Sequence, residues 1–239
     1  MRSLIIGGGE VGTALYNVIK DHHECYIRDI EDTGVTDIDC IHICYPDHRE
    51  FIKTTNEYIN HYGPSLVIIN SSILAGTCAQ LDPTIVYSPV RGRHPKLVKD
   101  LKLYSKFIFC KDKDKLKMAK KYFEKCEMQV EAYADPTTGE ILKLISNVHM
   151  GLEIAWRQEV ERMLKKFNVD PLVYERWEET YRKGYEKSND LNLIRPMMRP
   201  NPIGGHCIIP CTEILSKNFK SKAFEFIIES NNKRIKEQK

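Results

Sequence analysis

The stretch "SLIIGGGEVGTALYNVIKD", residues 3–21, constrains the fold more than any other part of the chain. A short apolar run of strand character meets glycines at Gly7, Gly9 and Gly12, and a helical pattern of apolar residues follows at once. In a strand–turn–helix of this spacing the first glycine makes the tight turn. The second lets backbone approach a pyrophosphate, and the third lets helix and strand pack closely. Phosphates then rest on the helix N-terminus, with Glu10 and Val11 completing the turn around them. Such a turn belongs to a parallel sheet, so the remaining chain must supply further strands alternating with helices.

It does so up to about residue 132. Strands are predicted at Ser3–Gly7, Glu24–Arg28, Cys40–Cys44, Leu66–Asn70, Ile85–Tyr87, Lys106–Phe109 and Met128–Ala132, all short, apolar and rich in Ile and Val. That composition suits strands covered on both faces. Helical stretches between several of them give right-handed βαβ units, hence an α/β fold with a Rossmann-type doubly wound, mostly parallel sheet over residues 1–134. From "DPTTGEILKLISNVHMGLEIAWRQEVERMLKKFNV" onward the period changes to three and four, through Ile141, Leu144, Val148, Ala155, Val160 and Leu164. Pro136 suits the start of this helix, and Asn168 with Pro171 suits its stop. At about 1.5 Å per residue it would run on the order of 45–50 Å, more than a small domain can cover. Residues 135–239 therefore read as an all-helical domain built on one long helix and carrying a cysteine loop, and a homodimer through that helix is expected.

Asp29 ends the second predicted strand, 22 residues after Gly7. An acidic side chain there accepts hydrogen bonds from the adenosine ribose and repels a 2′-phosphate, which favours NAD over NADP, although Arg28 stands beside it. Tyr45 and Pro46 after the third strand and Ser71 after the fourth complete the expected cofactor contacts.

Bulk properties exclude several classes. The net charge of +3 is spread along the chain, so no nucleic-acid or membrane surface is indicated. The lysine-dense run "KDKDKLKMAKKYFEK" alternates with aspartate and has helical apolar spacing, which makes it a solvated amphipathic helix. No run reaches the roughly 18 apolar residues of a membrane span, and the N-terminus lacks the pattern of a signal peptide, so a cytoplasmic location is expected. The eight cysteines contain no C-x-x-C pair, and the eight histidines complete no metal-ligand spacing, so neither a metal nor a disulfide framework is expected.

The segment "NPIGGHCIIP", residues 201–210, reads as poor helix and poor strand, a rigid loop presenting one cysteine. With "LIIGGGEVGTAL", "NSSILAGT", "SPVRG" and "GEILKLISNVHMGLEIAWRQE", the "GGHCIIP" of this loop resembles, in order, the landmarks of the UDP-glucose/GDP-mannose dehydrogenase family. The "GGHC" form resembles the branch that oxidises UDP-N-acetylmannosamine. The resemblance implies two-step oxidation of a primary alcohol to a carboxylate with two NAD. It implies that Cys207 is the nucleophile that captures the aldehyde, a role suited to a thiolate. Lys143 matches the lysine that stabilises the oxyanion, Asn147 the asparagine one helical turn on, and Ser72 the water-binding threonine. The resemblance places Gly204 and Gly205 beside the substrate, with His206 either stacking on it or only filling the loop.

Three departures redirect this expectation. The family's "PE" glutamate falls at Val90, and the aspartate four residues after the cysteine falls at Cys211, so no general base for thioester hydrolysis is evident. The chain also stops at Lys239, without a counterpart of the family's domain for the nucleotide of the sugar nucleotide. A smaller or different anionic substrate is therefore expected, held by Arg91, Arg93 and His94 after the fifth strand, with Arg195 and Arg199 as further candidates. Two other readings stay open: a β-hydroxyacid dehydrogenase, which shares the Lys-x-x-x-Asn pair and needs no cysteine, and a non-catalytic dinucleotide-binding protein.

Overall fold

The computed structural model describes residues 1–31, 33–93 and 95–238. Seven strands, β1 Arg2–Ile6, β2 Glu24–Arg28, β3 Cys40–Ile43, β4 Leu66–Ile69, β5 Val86–Tyr87, β6 Lys106–Phe109 and β7 Val130–Tyr133, form one sheet. The helices are α1 Glu10–Ile19, α2 Phe51–Tyr62, α3 Thr77–Leu81, α4 Leu97–Leu103, α5 Lys113–Lys125, α6 Pro136–Lys166, α7 Pro171–Ser188, α8 Ile208–Asn218 and α9 Lys222–Glu237. The chain divides into two compact units, Met1–Leu144 and Ile145–Lys239, with the boundary inside α6.

In the first unit the strand order is β2-β1-β3-β4-β5-β6-β7, parallel throughout except where β5 meets β6. The chain moves from β1 outward to β2, then returns to place β3 on the other side of β1. This reversal leaves a crevice outside the carboxyl ends of β1 and β3, the place where open α/β sheets bind ligands. Strand alternation divides the core between the two faces. Ile5, Leu66 and Ile68 pack with α1 and α5, whereas Leu4, Ile6, Ile41, Ile43, Val67 and Ile69 pack with Phe51 of α2. Within the lysine-dense run, α5 buries Ala119, Tyr122 and Phe123 and turns its lysines outward.

A polar chain runs through this core. The ring of His42 meets Tyr122 Oη at 3.0 Å and Asn70 Nδ2 at 3.3 Å, and Tyr122 Oη donates to Ser3 Oγ at 2.9 Å. Burial drives the His42 imidazole down to about 3, with the Lys106 charge adding to the effect.

In the second unit, Gly151 of α6 has no room for a side chain: a Cβ there would lie 2.7 Å from Ile208 Cγ2. This close approach seats the start of α8 on α6. The expectation that "GGHCIIP" is wholly loop needs correction. Helix α8 starts at Ile208, directly after Cys207, and Pro210 lies in its first turn. Proline is tolerated there because the amide it lacks has no intrahelical acceptor. The long helix is also less covered than a fully buried one: Leu142, Ile145, Met150, Trp156 and Met163 are exposed. Among the described residues, no helix is long and apolar enough to cross a membrane.

Candidate active site

The turn from β1 into α1 behaves as its glycines require. A Cβ on Gly12 would stand 1.9 Å from the Gly7 carbonyl oxygen, so the third glycine is dictated by helix–turn contact. Gly7 has φ +106°, a conformation natural to glycine alone, and lies against the backbone of Tyr45. Around Gly9 there is open space out to 4 Å, so the protein itself does not demand glycine at this position. Gly9 is also the N-cap of α1 and makes no side-chain cap bond.

A cleft of about 370 Å³ opens at this turn, lined by Ile6, Gly7, Asp29, Tyr45, Pro46, His48, Thr54 and Tyr58. Asp29 Oδ1 accepts from Gly8 N at 3.1 Å, which holds the carboxylate at the rim. Arg28 turns to α2: its Nη1 donates to Tyr62 Oη at 2.6 Å, and its guanidinium lies 5.3 Å from the centre of the Tyr58 ring. Ser71 acts behind the wall, donating its hydroxyl to Tyr45 O at 2.6 Å and so fixing the Tyr45–Pro46 segment. Val11 packs against the core, and Glu10 is exposed in the first turn of α1. His48, Thr54 and Tyr58 are cleft residues that sequence patterning did not single out, because they lie in and before an ordinary amphipathic helix.

The loops after β4 and β5 lie at carboxyl ends of neighbouring parallel strands of the same sheet. Glu140 ties the first of them to α6, accepting from Gly76 N at 2.5 Å and Cys78 N at 2.8 Å. Its side chain is buried, and burial raises its carboxyl above the ordinary glutamate value despite those two bonds. Ser72, half-buried, is part of this loop. One turn beyond Glu140, Lys143 donates its amine to Val90 O at 2.9 Å. Val90 itself is buried, so the second loop offers Lys143 a backbone oxygen where a carboxylate was expected.

Further along this loop, Arg93 is committed internally. Its Nε and Nη2 grip the two oxygens of buried Asp100 at 2.9 and 3.1 Å, and its amide donates to the same carboxylate. This fork closes the loop onto α4 and commits Nε and Nη2 of Arg93, a substrate-binding candidate, to Asp100. The Arg91 guanidinium, 5.0 Å from the Phe107 ring centre, remains exposed. His94 lies outside the described residues.

In the second unit the cysteine loop is held at its base. Gln158 Nε2 donates to Asn201 O at 2.8 Å, and Ile203 N donates to Asn231 Oδ1 at 2.7 Å. Gly204, Gly205 and His206 then stand exposed, with Gly205 at φ +80°. Cys207 caps α8, at the helix end that favours negative charge. Cys211 follows one turn later, its amide bonded to Cys207 O at 3.0 Å, and its sulfur accepts from Asn147 Nδ2 at 3.1 Å. Asn147 thus meets the residue that stands where a carboxylate was expected. Arg195 pairs with Glu178 and stacks on Tyr181.

Neither a family model nor a curated protein matches the sequence. Solved structures do match in fold. UDP-D-ManNAc dehydrogenase from Pyrococcus horikoshii aligns with a TM-score of 0.77 at 17% identity, covering 98% of this chain and 69% of that one. A UDP-glucose dehydrogenase from Pyrobaculum islandicum gives 0.72 at 15% identity, over 97% and 68%. The 3-hydroxyisobutyrate dehydrogenase of Mycobacterium tuberculosis gives 0.65 at 12% identity, over 99% of this chain and 93% of that one. The chain therefore has the fold shared by these dehydrogenases.

Proposed function

We propose that the chain is an NAD-dependent oxidoreductase acting on a CH–OH group of a small anionic substrate. The observation that carries this reading is the glycine turn opening on a cleft with Asp29 at its rim. The free space at Gly9, the glycine-capped helix N-terminus and the carboxylate suit the pyrophosphate and ribose of a dinucleotide. Asp29 disfavours a 2′-phosphate, and Arg28 is drawn to Tyr58 and Tyr62, so NAD is favoured over NADP. When bound, the nicotinamide supplies the hydride acceptor.

Lys143 is assigned to stabilise the substrate oxygen as its hydrogen leaves, and Ser72 to hold a water at the neighbouring loop. Cys207 is assigned as the nucleophile for an aldehyde, with Gly204, Gly205 and His206 beside the substrate. With Val90 and Cys211 at the two positions where carboxylates were expected, we infer that a thioester formed on Cys207 has no carboxylate base for its hydrolysis, and NADH formed per substrate counts the hydride transfers. Arg91 is the remaining arginine of its loop suited to a substrate anion. The exposed apolar side chains of α6 support a homodimer, testable by light scattering at micromolar concentration. The strand cysteines, Cys40 buried and Cys25 half-buried, are free thiols, which fits a reducing cytoplasm.

Calorimetry with NAD and NADP, followed by turnover assays on sugar nucleotides and hydroxy acids, tests the reading. NAD binding without turnover of any of these leaves a non-catalytic dinucleotide-binding protein, and no binding overturns the proposal. A β-hydroxyacid dehydrogenase is the second reading. It is favoured by the near-complete overlap with the hydroxyisobutyrate enzyme's fold. Cys207→Ser separates the two: a loss of about a thousandfold or more in kcat supports the cysteine mechanism. Retained turnover supports the second.

A further inference from the structure

Two lysines from different elements hold three successive carbonyls. Lys106 of β6 donates its Nζ to Ser88 O at 2.8 Å and Pro89 O at 3.3 Å, and Lys143 of α6 donates to Val90 O at 2.9 Å. Lys106 is only 3% exposed, and its amine lies 5.2 Å from the Phe123 ring centre. Desolvating an ammonium costs several kcal/mol, and an apolar side chain of similar length would fill the same space without that cost. Packing therefore does not explain a lysine here. What the lysine adds is a donor that fixes the path of residues 88–90. That path sets the Val90 carbonyl, and the carbonyl holds the Lys143 amine.

We propose that Lys106 is a positioning residue for Lys143, bracing the Ser88–Pro89–Val90 carbonyl row against which the Lys143 amine is set. The proposal rests on the reading of Lys143 as the amine that faces the substrate oxygen. Valine at position 90 strengthens it, since a backbone oxygen replaces a carboxylate as the group orienting that amine. Burial, and after it the Lys143 charge, bring the Lys106 amine down to about 7, with Cys44 opposing, so the two amines sense each other.

The test uses the full chain with Lys106→Met and Lys106→Arg. Acylation of Lys143 by acetic anhydride is followed by peptide mass spectrometry, normalised to exposed Lys102. In K106M the loosened Val90 carbonyl is expected to free the amine and raise Lys143 labelling about fivefold, the effect of losing one ordinary hydrogen bond. K106R is expected to stay within about twofold of the wild type, because guanidinium retains donors for both carbonyls. With an active substrate, kcat falls about tenfold in K106M while the KM for NAD is unchanged. Equal labelling of Lys143 in wild type and K106M overturns the proposal, as does a fall in Tm with unchanged labelling, the signature of a purely structural lysine. Should K106M not fold, Lys106→Gln is read instead, with intermediate labelling expected and wild-type labelling overturning the proposal. The labelling needs no turnover, so a wild type inactive on every substrate would sink the dehydrogenase reading and leave the Lys106 result intact.

Discussion

In the cleft of the first unit, backbone sets the geometry. Gly7, Gly12 and the amides of α1 shape the site, and each is fixed by contacts within a few residues of sequence or with the adjoining strand. In the cysteine loop of the second unit, side chains do this work across long sequence separations: Gln158 reaches Asn201, Asn231 reaches Ile203 and Asn147 reaches Cys211. The first arrangement leaves little latitude, since any added atom meets immovable backbone. The second leaves the tip at Gly204–His206 exposed and replaceable, so chemistry can change there with little effect on the fold.

Four measurements break or sharpen this contrast. The largest effect is expected from acid on the first unit. His42 is held neutral down to about 3 against an ordinary value of 6.5, so between those limits the unfolded chain binds the extra proton. Its contribution is fully present above about 6.5 and is lost as pH falls toward 3, in total roughly 4–5 kcal/mol. Urea unfolding across that range should show the loss in the wild type and a flatter profile in His42→Gln. Next, Gly12→Ala forces a Cβ into a backbone oxygen and is expected to cost about 3 kcal/mol, together with at least about a hundredfold in NAD affinity. Thermal melts and calorimetry read the two losses, and normal NAD binding by this variant would disprove the backbone account. Gly151→Val presses on Ile208 and should cost about 1–3 kcal/mol in the second unit while NAD affinity is unchanged. Smallest of all, His206→Ala at the exposed tip should alter stability by no more than about 0.5 kcal/mol. A larger loss would mean that the tip belongs to the packed structure.

The parts legible in the sequence are those governed by local pattern. The seven apolar runs became the seven strands, and the three-and-four spacing after Pro136 became α6. The Gly7-x-Gly9-x-x-Gly12 spacing became a turn whose third glycine touches the first. Less legible were residues defined by partners far along the chain. Nothing in the pattern around Arg93 shows that two of its donors meet Asp100. Nothing around Ser71 shows that its hydroxyl braces Tyr45. Lys106, one polar residue at the head of an apolar strand, carries no spacing that points to residues 88–90, and Glu140 carries none that points to Gly76.

The sequence by itself determined the sheet, the long helix and the glycine turn, because periodicity and glycine sterics act over a few residues and follow from residue type. Only the tertiary structure decided which charged and polar side chains are already taken. A hydrogen bond depends on where two distant segments are brought together, and that is set by packing of the whole core rather than by the residues on either side of the bond.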